Sequence, residues 1–206
     1  AKIASRCRWT RGKNKLPRLK TPAIYSPLDT PIHMLESETN VFITLVHNET
    51  GQFNPLHHKI SRGVLSFEGA PYSQISRPDL ASDHFIVRGK IKFLEKGSVW
   101  FRVNSHLLFG LRCQPGEKPV AVKFTTSNFN NLDEMHNGEE LKVDQDYSWE
   151  LECHASMGIL RLGKNPPAMA FTPTNSVGKN AALNQFGISS YNTRADISDV
   201  VFQKLA

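Results

Sequence analysis

The stretch His84–Phe93 constrains the fold of this chain more than any other. Phe85, Val87, Gly89, Ile91 and Phe93 fall on one side of an extended strand, and His84, Arg88, Lys90 and Lys92 fall on the other. A period of two over ten residues is the signature of a half-buried antiparallel strand, and it excludes a helix there. The same alternation returns along the sequence. Val99, Phe101 and Val103 alternate with Ser98, Arg102 and Asn104, and Leu107, Phe109 and Leu111 follow. Val120, Val122 and Phe124 come after the Pro115-Gly116 turn. Tyr147, Trp149, Leu151 and Cys153 alternate with Ser148, Glu150, Glu152 and His154.

Shorter strands are expected over residues 41–47, 63–67, 158–163, 168–171, 186–191 and 196–204. In the last, Val200-Val201-Phe202 breaks the alternation, which predicts a bulge or a strand covered on both faces. Residues 132–141 are the best helical candidate, a turn-like stretch interrupted by Gly138. About ten short strands separated by Gly, Pro and Asn turns predict an all-β fold, a single antiparallel β-sandwich of the jelly-roll type. Phe85, Val87, Ile91, Phe93, Val99, Phe101, Phe109, Val122, Phe124, Trp149 and Leu151 are its expected core.

Charge divides the chain. Of 25 basic residues, eight lie in residues 1–20 with no acid among them: Lys2, Arg6, Arg8, Arg11, Lys13, Lys15, Arg18 and Lys20. The rest is close to neutral. Residues 1–30 therefore read as a basic arm and Pro-containing connector, and 31–206 as the sandwich. Such an arm suits phosphate neutralisation without base reading, with Trp9 as a packing anchor or a stacking group. It has few apolar anchors (Ile3, Trp9, Leu16) and is expected to order only when neighbouring subunits grip it. The absence of an initial methionine fits a matured chain.

Catalytic signals are weak. The chain lacks the nucleophile-elbow, zinc-protease, phosphate-loop and dinucleotide motifs. The three cysteines (Cys7, Cys113, Cys153) have no metal spacing, and Cys153 lies on the apolar side of its strand beside His154. His57-His58 would point to opposite faces. No metal and no cofactor is expected. Glu139, Glu140, Asp144 and Asp146 fall in a polar loop. Glu150 and Glu152, on one strand face, are the pair that glycoside hydrolysis could use. The expected class is therefore a non-enzyme, with catalysis by that pair as the alternative. No apolar run approaches the length of a membrane span, so no membrane partner is expected.

Two resemblances arise from these segments. Thr30-Pro31, residues 41–47, Ala70-Pro71-Tyr72-Ser73-Gln74-Ile75-Ser76-Arg77, the Arg88-Gly89 strand and Ser148-Trp149-Glu150-Leu151-Glu152-Cys153 resemble, in order and spacing, the small coat proteins of plant picorna-like viruses of the secovirus and comovirus type. That resemblance implies a structural subunit of an icosahedral virion. Its partners would be other coat subunits and genomic RNA, met through the basic arm, and assembly would occur in the host cytoplasm. Gly63-Val64-Leu65, residues 83–93, Val99 to Arg102, Trp149-Glu150-Leu151, Phe186-Gly187-Ile188 and residues 197–202 resemble the concanavalin-like, laminin-G-like sandwiches. This second resemblance covers residues 62–206 and implies a polysaccharide partner, bound or cleaved, with Trp100 and Tyr72 as candidate aromatic contacts. The coat-protein resemblance is the primary expectation here and the concanavalin-like one the alternative.

Overall fold

A computed structural model describes residues 31–35, 43–45, 58–69, 73–76, 80, 82–104, 106–125, 131–172 and 186–205. Fifteen strands lie among them. The first five are β1 (Ile32–His33), β2 (Ile43–Leu45), β3 (His58–Ser61), β4 (Val64–Glu68) and β5 (Ser73–Ser76). Then come β6 (His84–Phe93), β7 (Gly97–Arg102), β8 (Leu107–Cys113), β9 (Val120–Thr125) and β10 (Asn131–His136). The last five are β11 (Asp146–His154), β12 (Met157–Leu162), β13 (Ala168–Phe171), β14 (Gly187–Tyr191) and β15 (Arg194–Lys204).

They form two antiparallel sheets. One has eight strands in the order β13-β12-β11-β6-β15-β4-β3, with β1 also pairing β15. The other has seven, in the order β10-β9-β8-β7-β14-β5-β2. The predicted all-β sandwich is thus the observed fold. The helical candidate is corrected: its first half is β10, paired residue for residue with β9 from Asn131↔Thr125 to His136↔Val120. An edge strand can be this polar because one neighbour supplies its hydrogen bonds and little of it need enter the core.

The alternation seen in the sequence sets the core. Phe85, Val87, Ile91 and Phe93 from β6 meet Val99, Phe101, Leu107, Phe109 and Leu111 from the opposite sheet, all essentially inaccessible to solvent. At the centre the ring of Phe101 stacks on Trp149 with centroids 4.1 Å apart. Phe186 stacks beyond them, 6.3 Å from each. Gly89 makes this arrangement fit: a Cβ there would lie 2.9 Å from Trp149 Cζ2. The irregularity near Val200 is a bulge. The register of β15 against β6 shifts between Ser198 and Val201, and Asp199 takes a φ of 53°. The extra residue carries Asp199 toward Lys90, whose Nζ lies 2.8 Å from Asp199 Oδ2. That carboxylate, by hydrogen bond and by charge, raises the Lys90 pKa.

Trp149 carries one cost: its indole Nε1 is buried without an acceptor. A buried donor left unpaired costs about 1–3 kcal/mol, so most of what Trp149 contributes must come from its rings. Trp149→Phe is expected to change unfolding free energy by less than about 1.5 kcal/mol. Trp149→Ala is expected to cost about 3–5 kcal/mol. Urea denaturation of the two variants checks the contrast.

Candidate functional site

Because the inner faces are apolar, ligand chemistry is carried by the two outer faces. On the seven-stranded sheet, Ser98, Trp100 and Arg102 of β7 point outward beside Gly110 and Arg112 of β8, Lys123 of β9, and Ser189 and Tyr191 of β14. Trp100 is directly opposite Gly110, and its indole lies across that glycine: a Cβ at Gly110 would come within 2.7 Å of the ring. Glycine here is a seat for the ring, a pairing that also fills the space a glycine leaves in a sheet. The indole N–H donates to Ser98 Oγ at 2.8 Å, which fixes the ring's orientation. Lys123 Nζ sits 5.7 Å from the ring centroid, within cation–π range. Tyr191, 54% exposed, stands on the neighbouring strand. Arg112 pairs with Glu117 and donates to Met135 Sδ at 3.1 Å, so its guanidinium is engaged at the rim. The result is a half-buried aromatic plate bordered by hydroxyls and cations.

The outer face of the eight-stranded sheet is built differently. Glu150 and Glu152 alternate outward on β11, and Arg161 of β12 is opposite Glu150. Arg161 Nη1 lies 3.2 Å from Glu150 Oε1 and 2.7 Å from Glu152 Oε2. His154 Nε2 lies 2.5 Å from Glu152 Oε1. The His84 and His154 rings stand 5.9 Å apart. Burial alone would raise the Glu152 pKa, but the hydrogen bonds from His154 and Arg161 outweigh it and hold the carboxyl below its ordinary range. A general acid for glycoside cleavage needs the opposite shift. Glu150 and Glu152 instead share one guanidinium.

The other sequence candidates are dispersed. Glu140 Oε1 accepts from the Gly116 N–H at 2.9 Å, and Asp146 Oδ2 lies 3.8 Å from Lys92 Nζ. The Glu139 N–H donates to Asn165 Oδ1, and Asp144 takes a turn φ of 58°. The four acids therefore do not converge. Cys153 is buried in the core, as is Cys113, whose thiol pKa is raised by burial. Among the described residues no group of three or more His, Cys, Asp or Glu could hold a metal ion. Tyr72, His57, Cys7 and the arm residues Lys2, Arg6, Arg8, Trp9, Arg11, Lys13, Lys15, Arg18 and Lys20 lie outside the described residues. Trp100 was readable as an outward aromatic. Its seat at Gly110 and the union of Arg161, Glu152 and His154 depend on cross-strand register, which no local signal gives.

No family model matches the chain, and no curated protein matches it. Solved structures do. A Bacillus subtilis protein of unknown function with a galectin-like fold aligns at a TM-score of 0.61 and 11% identity, over 89% of this chain and 99% of that one. A Bacillus licheniformis β-glucanase aligns at 0.57 and 6% identity, over 85% and 97%. A Bacillus subtilis carbohydrate-binding module, CBM66, aligns at 0.52 and 13% identity, over 68% and 86%. The chain has a concanavalin-like, galectin-like jelly-roll fold. None of these neighbours is a viral coat protein, so the fold comparison sides with the concanavalin-like resemblance over the coat-protein one. At such identities the likeness extends to the fold alone.

Two outcomes follow from this geometry. Gly110→Ala should lift the indole from its seat and shift tryptophan emission to the red, while Ala121→Gly on the adjacent strand should leave emission unchanged. For Glu152, a folded pKa below the ordinary 4.5 means that its contribution is present at neutral pH and is lost as pH falls through the folded value. Glu152→Gln is expected to lower stability by about 1–3 kcal/mol at pH 7. The gap between the two proteins should narrow in acid, as measured by urea unfolding across pH.

Proposed function

We propose that this chain is a glycan-binding β-sandwich whose contact surface is the outer face of the seven-stranded sheet, centred on Trp100. The observation that carries this reading is the indole held flat over Gly110, with its N–H already satisfied by Ser98. A fixed aromatic plate offers the apolar C–H face of a sugar ring a stacking partner without loss of side-chain freedom on binding. The Tyr191 hydroxyl and the ammonium of Lys123 border that plate and can meet ring hydroxyls, while the buried hydroxyls of Ser98 and Ser189 hold Trp100 in place. The fold shared with a carbohydrate-binding module and a β-glucanase adds support by analogy. Binding without cleavage is favoured because Glu152, tied to Arg161 and His154, is held below the ordinary carboxyl range, which does not suit a general acid. The reading calls for no cofactor.

The test is affinity for immobilised and soluble polysaccharides, measured by array and then by calorimetry. Trp100→Ala should keep its melting transition and weaken glycan binding roughly tenfold or more, with partial recovery in Trp100→Phe. Wild-type affinity in Trp100→Ala would overturn the proposal. A purified chain that elutes as a large nucleic-acid-bearing particle and retains no glycan would favour the coat-protein alternative.

A further inference from the structure

A cleft of about 410 Å³ opens on the outer face of the eight-stranded sheet, the face turned away from Trp100. Gly89 and Trp149 lie at its base. Its rim is formed by Arg88 and Lys90 of β6, Ser148 and Glu150 of β11, Arg161 of β12, and Asp199 of the β15 bulge. Its lining holds three cations and two carboxylates. Lys90 is paired with Asp199 at 2.8 Å, and Arg161 is shared between Glu150 at 3.2 Å and Glu152 at 2.7 Å. Arg88 is exposed, and among the described residues no carboxylate forms an ion pair with it. The cleft therefore presents one guanidinium, that of Arg88, outside any ion pair, beside the Lys90–Asp199 pair, the Arg161 group shared by two carboxylates, and the Ser148 hydroxyl.

We infer that this cleft is a second binding site, for a sugar residue carrying a single negative charge. Arg88 would take the carboxylate or sulfate group, a geometry its forked donors suit. Glu150 and Asp199 retain oxygens that can accept from ring hydroxyls, and Ser148 can both donate and accept. The bulge is part of this design, because the extra residue brings Asp199 over Lys90 and closes that side of the cleft. That the ligand is a saccharide rests on the function proposed above. The site itself is independent of Trp100, which stands on the opposite sheet.

The experiment is calorimetric titration of the full chain with a glucuronic-acid oligosaccharide, a sulfated glucose oligosaccharide, the neutral glucose oligosaccharide, and inorganic sulfate. The wild type should bind an acidic sugar more tightly than the neutral one, and roughly 0.5 M salt should weaken the acidic interaction. Arg88→Gln should reduce acidic-sugar affinity roughly tenfold or more and leave the neutral sugar unaffected, whereas Arg88→Lys should lose less. Trp100→Ala should leave the acid preference in place. The acidic arm that binds identifies carboxylate or sulfate as the group recognised. Unchanged acidic-sugar affinity in Arg88→Gln would overturn the inference, as would equal affinity for inorganic sulfate and acidic sugar. Trp100-dependent binding of neutral glycans with no acid preference would sink this inference alone. Failure of every glycan to bind would sink the proposed function with it.

Discussion

The stack of Phe101 on Trp149 ties the two sheets together, and the rest of the sandwich is arranged around it. One ring comes from β7 and the other from β11, so the contact fixes the spacing between sheets. It also fixes the inward phase of both strands. Once Phe101 points inward, Trp100 and Arg102 must point outward. Once Trp149 points inward, Ser148 and Glu150 must do the same on the other side. The glycine at position 89 exists in this scheme as clearance for the Trp149 ring. A single core contact thereby determines which side chains are presented on each outer surface.

Those surfaces have different chemistry. The seven-stranded sheet presents an aromatic ring seated on a glycine, with hydroxyls and cations around it. The eight-stranded sheet presents alternating charges: Arg161, Glu150 and Arg88 succeed one another across β12, β11 and β6. Most of these charges neutralise each other locally. Exposed pairs of this kind contribute little to stability, so their value lies in the pattern they offer a ligand. The deeper pair is an exception, because Glu152 and its partner His154 are largely buried and the carboxylate is held ionised by two donors. Ionised carboxylates suit the acceptance of hydroxyl hydrogen bonds and do not suit proton delivery to a leaving group.

The long strands could be read from the sequence because alternation of apolar and polar residues is a local property. His84–Phe93 and Asp146–His154 show it over nine or more residues, and their buried faces are as the pattern demands. The short strands could not be read so. Asn131–His136 contains two apolar residues among six, and its strand character comes from pairing with β9. His58–Ser61 and Ile32–His33 owe their conformation to β4 and β15 in the same way. At the candidate sites the limit was register. Arg161 meets Glu150 because β11 and β12 are joined by the two-residue turn Ala155-Ser156, with Ala155 at a φ of 49°. That turn lacks the Asn-Gly or Gly-X signature from which a tight hairpin is read. Trp100 was legible as an outward aromatic, but its glycine seat lies ten residues away on another strand.

The central claim is that Trp100 forms the sugar contact, and the indole N–H signals report on it directly. The chain has three tryptophans: Trp9 in the basic N-terminal stretch of the sequence, Trp100 on an outer face and Trp149 in the core. A proton–nitrogen correlation spectrum, assigned with single Trp→Phe variants and recorded during titration with a soluble, neutral mixed-linkage β-glucan, separates them. The account predicts that the Trp100 signal moves with sugar while the Trp149 signal stays fixed. A Trp100 signal that remains in place while the β-glucan demonstrably binds would contradict it.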